Sequence, residues 1–184
     1  MTTDTSKVTI HMVSSLDGFI AKKDGSISWM QSTDNYEKGA TLTEEYIADF
    51  QKAIDCYVMG SRTHELALEL GWVYGDTPVV VLTHRDLKSN KENVEFYSGD
   101  LEKLVNERLK SNYKNIWMVG GSELTKDFLR LKLADAIIIS IMPIILGDGT
   151  LFFDYIGQEQ KLHLKEVTAY KDGMVELSYK IMKE

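Results

Sequence analysis

Short apolar runs alternate with segments of helical periodicity along most of the chain. Six runs rich in β-branched side chains predict strands, at residues 8–13, 56–59, 79–82, 94–97, 116–119 and 136–142. Between them, apolar residues recur at helical spacing, as at Tyr46, Ile47 and Phe50 behind the N-cap candidate Thr43. Further helices are predicted over residues 63–70, behind Asp100, and over residues 124–131. This alternation predicts a mostly parallel sheet with helices on both faces.

The last part of the chain has a different pattern. Apolar and polar residues alternate strictly over positions 175–181, and another alternating stretch begins at Leu162, before the turn signal Asp172-Gly173. These features predict an antiparallel hairpin. The predicted fold class is therefore α/β, one domain over residues 1–184 with a mixed, mostly parallel sheet and a C-terminal antiparallel hairpin.

Composition excludes several function classes. The chain has 28 acidic and 21 basic residues, a net charge of −7, which disfavours sequence-independent binding to nucleic acid. Its single cysteine, Cys56, excludes an internal disulfide and a cysteine-based zinc site, and it lies in an apolar run typical of a buried side chain. The four histidines show no metal-ligand spacing. No metal site is expected.

No segment has the pattern of a signal peptide or a membrane span. Residues 1–7 are polar and are not followed by the apolar core region of a signal peptide. The most apolar stretch, residues 136–146, is interrupted by Ser140 and Pro143 and is too short to cross a bilayer. We therefore expect a cytoplasmic protein with no membrane partner.

Three predicted strands end in residues that suit phosphate. They are followed by Gly60, Ser61, Arg62 and Thr63, by Thr83, His84 and Arg85, and by Gly120, Gly121 and Ser122. Ligands bind at the carboxyl ends of parallel strands, and a helix N-terminus presents free N–H groups to an anion. A glycine pair alone is often only a tight turn, and a single arginine is usually a surface cation, so the prediction rests on the three ends together. Neither the G-x-G-x-x-G fingerprint nor a P-loop is present.

The same strand ends, with two other segments, carry a family resemblance. The segments in order are Ser15-Leu16-Asp17-Gly18 with Ile20-Ala21, then residues 59–65, 80–85 and 118–122, and finally residues 143–149 with Phe152. Over nearly its whole length the chain resembles the dihydrofolate-reductase-like superfamily. Within it, the chain is most similar to small bacterial proteins that match the reductase domain of the riboflavin-biosynthesis deaminase-reductase. The resemblance implies a three-layer α/β/α fold.

The resemblance also implies an NADPH-dependent reductase that transfers hydride to a small pterin- or pyrimidine-like heterocycle, and a homodimer. The activity would be like that of dihydrofolate reductase or of 5-amino-6-(5-phosphoribosylamino)uracil reductase. The alternative is a nucleotide-binding module of the same fold without turnover. By resemblance, residues 60–63 would hold the cofactor pyrophosphate and a nearby phosphate, and residues 83–85 the adenosine ribose with its 2′-phosphate, where Arg85 favours NADP. The other implied cofactor contacts are Val13, Gly99, Val119, Gly120, Gly121, Ser122, Glu123 and Leu124, with a cis bond between the two adjacent glycines.

The substrate side departs from both relatives. Riboflavin-pathway reductases usually carry a lysine where this chain has His11, and a glutamate where it has Val119. Dihydrofolate reductases place one carboxylate near the start of the first helix. Asp34 follows Trp29 at the matching distance, but an insertion around residues 35–41 displaces the helix behind it.

Counting back from Met59 instead brings Tyr46 to that place, with Glu45 and Asp49 flanking it. The predicted catalytic residues are therefore Asp34 and Asp49, with Glu45 also open. Trp29 and Phe50 are predicted to contact the substrate. An exposed apolar edge around residues 141–146 is the expected contact of a dimer.

Overall fold

Ten strands make up the β-structure of the computed structural model, which describes residues 6–183. In chain order they are β1 (Lys7–Ser15), β2 (Phe19–Ala21), β3 (Cys56–Gly60), β4 (Val79–Leu82), β5 (Val94–Tyr97), β6 (Asn115–Gly120), β7 (Ala136–Met142), β8 (Thr150–Leu151), β9 (Leu162–Ala169) and β10 (Val175–Ile181). The prediction about the polar N-terminus falls mostly outside the described residues.

Eight strands form the central sheet, in the order β5-β4-β3-β6-β1-β7-β10-β9. The first six are mutually parallel, whereas β10 runs antiparallel to both β7 and β9. The mixed, mostly parallel sheet with a C-terminal hairpin is therefore confirmed. Because β1 lies between β6 and β7, its side chains are placed at the middle of the molecule.

Two helices begin directly behind the N-caps that the sequence predicts, Thr43 and Asp100. The regular α-helices are Glu44–Lys52, Ser61–Leu70 and Ser122–Arg130, with a 3-10 turn at Ser28–Met30. A further helix begins as Leu101–Lys103, widens to a π-helix over Leu104–Leu109 and ends as Lys110–Asn112. Thr43 accepts a hydrogen bond from the N–H of Tyr46, and Asp100 accepts one from the N–H of Lys103. These bonds satisfy backbone donors that a helix start leaves free.

The sheet packs differently on its two faces. On the first face, the helices 101–112 and Ser122–Arg130 cover the strands, and fully buried Leu104 and Phe128 are among the residues that fill the space between them. On the second face lie the helices Glu44–Lys52 and Ser61–Leu70. Tyr57 and Met59 form a buried cluster there, but the helix Glu44–Lys52 has no buried residue. Helices on both faces make the fold three-layered, as the resemblance implies.

Two details differ from the sequence-based expectations. Strands β2 and β8 form a small antiparallel sheet that was not predicted, because runs of three and two residues carry no readable period. Strand β7 is not an edge strand, because it lies between β1 and β10, and the edges of the sheet are β5 and β9. Pro143 and Ile145 behind β7 are exposed, and the dimer contact around residues 141–146 stays a prediction.

The buried position that the sequence predicts for Cys56 is confirmed. Cys56 is fully buried in β3, and burial raises the pKa of its thiol to about 12. No helix within residues 6–183 is both long enough and apolar enough to cross a membrane.

Candidate functional site

The two glycine loops lie side by side at the carboxyl ends of two central strands of the sheet. Strands β3 and β6 are neighbours, and Met59 is in register with Gly120. A Cβ atom placed on Gly60 would lie 3.8 Å from the carbonyl oxygen of Gly120, and one on Gly121 would lie 3.9 Å from Oγ1 of Thr63. Side chains at either glycine would therefore occupy the space between the loops.

Both loops lead directly into helices whose N-termini have no side-chain cap. Gly60 precedes the helix Ser61–Leu70 and Gly121 precedes the helix Ser122–Arg130, and neither has a side-chain capping bond. Two sets of free N–H groups, each at the positive end of a helix dipole, thus lie next to each other. This arrangement suits an anion with several oxygens, such as a pyrophosphate.

The backbone at Gly120 accepts only glycine. Its φ is 130°, and a Cβ there would lie 2.6 Å from the sulfur of Met12. The peptide bond between Gly120 and Gly121 is cis, which confirms the bond that the resemblance implies. Of the other predicted contacts in this segment, Val119 is half-buried on the second face, Ser122 is half-buried, Glu123 is exposed, and Leu124 packs into the core of the first face.

Arg85 lies close to the helix that carries Arg62. Its Nη2 donates a hydrogen bond of 2.8 Å to Oε1 of Glu65, which belongs to the helix Ser61–Leu70. Thr83 holds the loop by accepting a bond of 3.0 Å from the N–H of Arg85. Arg62, His84 and Arg85 are exposed. Their side chains are thus accessible to a ligand in solution.

Gly99 follows β5, the strand next to β4, so its loop neighbours the one that carries Thr83. A Cβ at Gly99 would overlap the hydroxyl of Tyr97, which donates a bond of 3.0 Å to the carbonyl of Asp100. The structure thus places the three predicted phosphate loops and Gly99 at one end of the sheet.

Trp29 lies further along the second face, in a cluster with Met142, Tyr170 and Met174. It is 5% exposed, and its indole Nε1 is buried with no hydrogen-bond partner among the described residues. A recess of about 560 Å³ adjoins it, lined by Trp29, Gln31, Ser32, Thr33, Asp34, Met142, Pro143 and Ile144. The structure therefore brings Asp34 and Trp29 together, as their spacing suggested.

The segment around Asp34 is held in this place by hydrogen bonds to the C-terminal hairpin. Ser32 donates a 2.6 Å hydrogen bond to the carbonyl of Asp172, and the N–H of Tyr36 donates one of 2.7 Å to the carbonyl of Lys171. A Cβ at Gly173 would overlap the Asp34 carboxylate. The turn between β9 and β10 thus forms one wall beside Asp34.

The other predicted carboxylates do not join this recess. Asp49 is 69% exposed and lies 3.6 Å from the ammonium of Lys52, and Glu45 is exposed on the same helix. Phe50, in contrast, faces the sheet, with its ring 5.6 Å from that of His11 and 5.5 Å from that of Trp117.

Three polar side chains that were not predicted as a group meet below Phe50. Nε2 of His11 lies 3.2 Å from Oγ of Ser140 and 3.6 Å from Oε2 of Glu176, and Ser140 donates a bond of 3.0 Å to the same carboxylate oxygen. The His11 ring stacks on Trp117 at 4.9 Å. We call these residues, His11, Ser140 and Glu176, the His–Ser–Glu cluster.

The cluster is largely shielded from solvent. The side chain of His11 is 13% exposed and that of Glu176 is 21% exposed. Hydrogen bonding to His11 holds the pKa of Glu176 below its usual range, against the opposing effect of burial. Nδ1 of His11 is buried without a partner among the described residues, so one polar atom of the cluster is left to bind a ligand or water.

Tyr170 connects this cluster to Trp29. Its hydroxyl has a pKa raised to about 12, by burial first and then by the nearby charge of Glu176 and the hydroxyl of Tyr46. A carboxylate, an imidazole and a phenol thus lie on one side of the sheet, between the central strand and the hairpin. Within residues 6–183, no three His, Cys, Asp or Glu side chains are grouped to hold a metal ion.

Known proteins are similar to this chain, one in sequence and others in structure. The uncharacterized protein YwjB of Bacillus subtilis (strain 168) is 31% identical over 175 residues, covering 94% of this chain and 97% of its own length. A putative riboflavin biosynthesis protein from Shewanella sp. PV-4 has a structure that superposes with a TM-score of 0.82 at 21% identity, covering 96% of this chain and 99% of that one.

A longer structural neighbour is the diaminohydroxyphosphoribosylaminopyrimidine deaminase/5-amino-6-(5-phosphoribosylamino)uracil reductase of Thermotoga maritima. It superposes with a TM-score of 0.68 at 16% identity over 98% of this chain and 58% of its own. The sequence model of the RibD C-terminal domain matches residues 41–176. With the fold, the glycine loops and this match together, the chain belongs to the RibD C-terminal domain family.

Proposed function

We propose that this chain is an NADPH-dependent reductase that acts on a small pterin- or pyrimidine-like heterocycle. The observation that carries the proposal is the pair of uncapped helix N-termini at Gly60 and Gly121, which lie within contact distance of each other. Membership of a family of reductase domains supports the same activity.

The residues present fit a dinucleotide phosphate. The N–H groups behind Gly60 and Gly121 would hold the pyrophosphate, and exposed Arg62 and Arg85 would pair with further phosphate oxygens. Arg85 would exchange its bond to Glu65 for a bond to the 2′-phosphate. That exchange costs little, because both partners of the existing ion pair are about half exposed, at 52% and 43%. When bound, the nicotinamide supplies the hydride, to a conjugated C=N or C=O of the substrate.

Such a reduction also needs a proton, and His11 of the His–Ser–Glu cluster would supply it. Ser140 and Glu176 hold the His11 ring through Nε2, which leaves Nδ1 to hold and donate a proton. We assign this role to His11 rather than to Asp49, whose carboxylate is in solvent. Phe50 and Trp117 exclude water from the ring of His11 on two sides.

The first experiment is a thermal-shift and fluorescence titration of the full chain with NADPH and with NADH. Ligands that bind the folded state raise the midpoint by mass action. We expect a clear shift with NADPH and a smaller one with NADH. Arg85→Ala should weaken NADPH about tenfold, equivalent to about 1.4 kcal/mol, and leave NADH unchanged. Arg130→Ala removes an exposed arginine from the last turn of another helix and serves as the matched control.

Gly60→Ala tests the loops themselves. The added Cβ meets its neighbours at ordinary contact distances, and the φ of −77° is unstrained. We therefore expect the free energy of unfolding to change by no more than about 1 kcal/mol. NADPH binding should nevertheless fall, because the methyl group occupies the space between the loops. A wild-type chain whose midpoint moves with neither nucleotide would contradict the proposal. A shift without any turnover of pterins or pyrimidines would leave a nucleotide-binding module.

A further inference from the structure

Two recesses lie on either side of the segment that carries Trp29. The first is the one beside Trp29 and Asp34. The second, also of about 560 Å³, is lined by Asp24, Gly25, Ser26, Ile27, Ser28, Met30, Gln31, Leu66, Glu69 and Leu70. Gln31 lines both. The second recess lies beside the later turns of the helix Ser61–Leu70, whereas the first turn of that helix follows Gly60.

The charge of these recesses is opposite to that of the phosphate loops. Asp34 lines the first recess and Asp24 and Glu69 line the second, whereas no described residue that lines either one is a lysine or an arginine. The phosphate end has Arg62 and Arg85. The sign of charge thus changes along one helix and its flanking loops.

Two lysines that are near in sequence form ion pairs with acidic residues that do not line the recesses. Lys23 precedes the second recess but forms an ion pair with Asp148, across the turn behind β2. Lys52 is on the helix of Phe50 and pairs with Asp49. Neither lysine is among the lining residues.

The other lining groups suit a flat ring that carries both N–H donors and an acceptor atom. The buried Trp29 Nε1 is a donor without a partner, and the Asp34 carboxylate lies in the same recess as an acceptor. In the second recess, Ile27, Met30 and Leu66 are half-buried apolar side chains that can pack against a ring face.

We propose that the substrate of this chain is an amino-substituted heterocycle that carries no phosphate. This inference rests on the proposed function and specifies its substrate class. A phosphate dianion brought into a recess with carboxylates and no cation meets repulsion, whereas a neutral or cationic ring meets complementary charge. The reductase activity named for the Thermotoga maritima neighbour uses a phosphoribosyl-bearing uracil. Here the corresponding substrate lacks that group.

The test compares one ligand with and without its phosphate. 5-Amino-6-(5-phosphoribosylamino)uracil and the same compound after phosphatase treatment are titrated into the full chain, with tryptophan fluorescence as the readout, in the absence and presence of NADP⁺. We expect the dephosphorylated ligand to bind at least about tenfold more tightly at low salt, with the difference shrinking as salt is added. Equal binding, tighter binding of the phosphorylated form, or binding of neither ligand would overturn the inference.

Charge-reversal variants identify the recess. Glu69→Lys should lower the ratio of the dissociation constants of the phosphorylated and dephosphorylated ligands by about threefold, because it replaces a repulsive charge with an attractive one. Glu102→Lys makes the same change in net charge at an exposed site on the first face and should leave the ratio unchanged. Identical ratios in the two variants would overturn the assignment.

Failure of this inference is distinguishable from failure of the proposed function. The ligand ratio is measured without nucleotide, so it is informative whether or not NADPH binds. If NADPH raises the midpoint and the phosphorylated ligand binds better, the reductase proposal stands and the substrate class is wrong. If NADPH has no effect but the ratio is as expected, the recess is right and the reductase proposal fails.

Discussion

The two faces of the sheet differ in how completely their helices cover them and in how many polar side chains they carry. On the first face, two helices seal the strands, and Leu104, Leu109 and Phe128 are almost completely excluded from water. On the second face, the helix Glu44–Lys52 buries none of its residues, and the strands beneath it carry an imidazole, a hydroxyl and a carboxylate. A face that supplies most of the apolar burial allows the other to hold polar groups that would weaken a core.

The largest expected difference between the faces is in core truncation. Phe128→Ala should lower the free energy of unfolding by about 3–5 kcal/mol, because it leaves a cavity in the sealed core. Phe50→Ala, the same change on the second face at a half-buried ring, should cost roughly half as much or less. Urea denaturation of both variants measures this, and equal losses would show that the two faces share the stability evenly.

The next difference is in pH dependence. The pKa of Glu176 is lowered in the folded protein by its bond to His11, so the carboxylate stabilises the fold above the pKa that it has in the unfolded chain. This stabilisation is lost as the pH falls through the lower pKa of the folded state. Glu176→Gln should therefore cost about 1–2 kcal/mol at neutral pH, and its stability should converge with that of the wild type in acid.

Denaturation curves at several pH values, with exposed Glu102→Gln as the control, measure the convergence. A cost for Glu176→Gln that persists unchanged in strong acid would mean that packing, not charge, is responsible.

The smallest expected effect is on the surface of the second face. Ile47 is 40% exposed on the helix Glu44–Lys52, so Ile47→Ala should change stability by no more than about 0.5 kcal/mol. Leu129→Ala, in the helix of the first face where the side chain is 3% exposed, provides the contrast and should cost about 2–5 kcal/mol. Similar values for the two would mean that the helix Glu44–Lys52 is covered in solution.

The end of the sheet with the two glycine loops was predictable because each of its parts is local in sequence. A strand, a glycine and a helix start follow one another at Gly60 and again at Gly121, and the order of parallel strands then brings the loops to one edge. Spacing from Trp29 likewise indicated Asp34. The inserted segment left the choice among carboxylates open, because its position depends on hydrogen bonds to the hairpin near Lys171.

The His–Ser–Glu cluster was not predictable in the same way. Alternation in β10 shows that Glu176 and Val175 point to opposite faces, but only the register of β10 with β7 places Glu176 opposite Ser140. One signal was present. Ser140 interrupts an otherwise apolar strand, and a buried hydroxyl requires a polar partner.

The position of β10 has a consequence for synthesis of the protein. The six parallel strands, with both glycine loops, precede β10 in the chain and leave the ribosome first. Glu176 arrives with the final strand and must enter the sheet between β7 and the previously made β9. A nascent chain thus contains both glycine loops before it contains the carboxylate that holds His11, so the His–Ser–Glu cluster is complete only after β10 has been made.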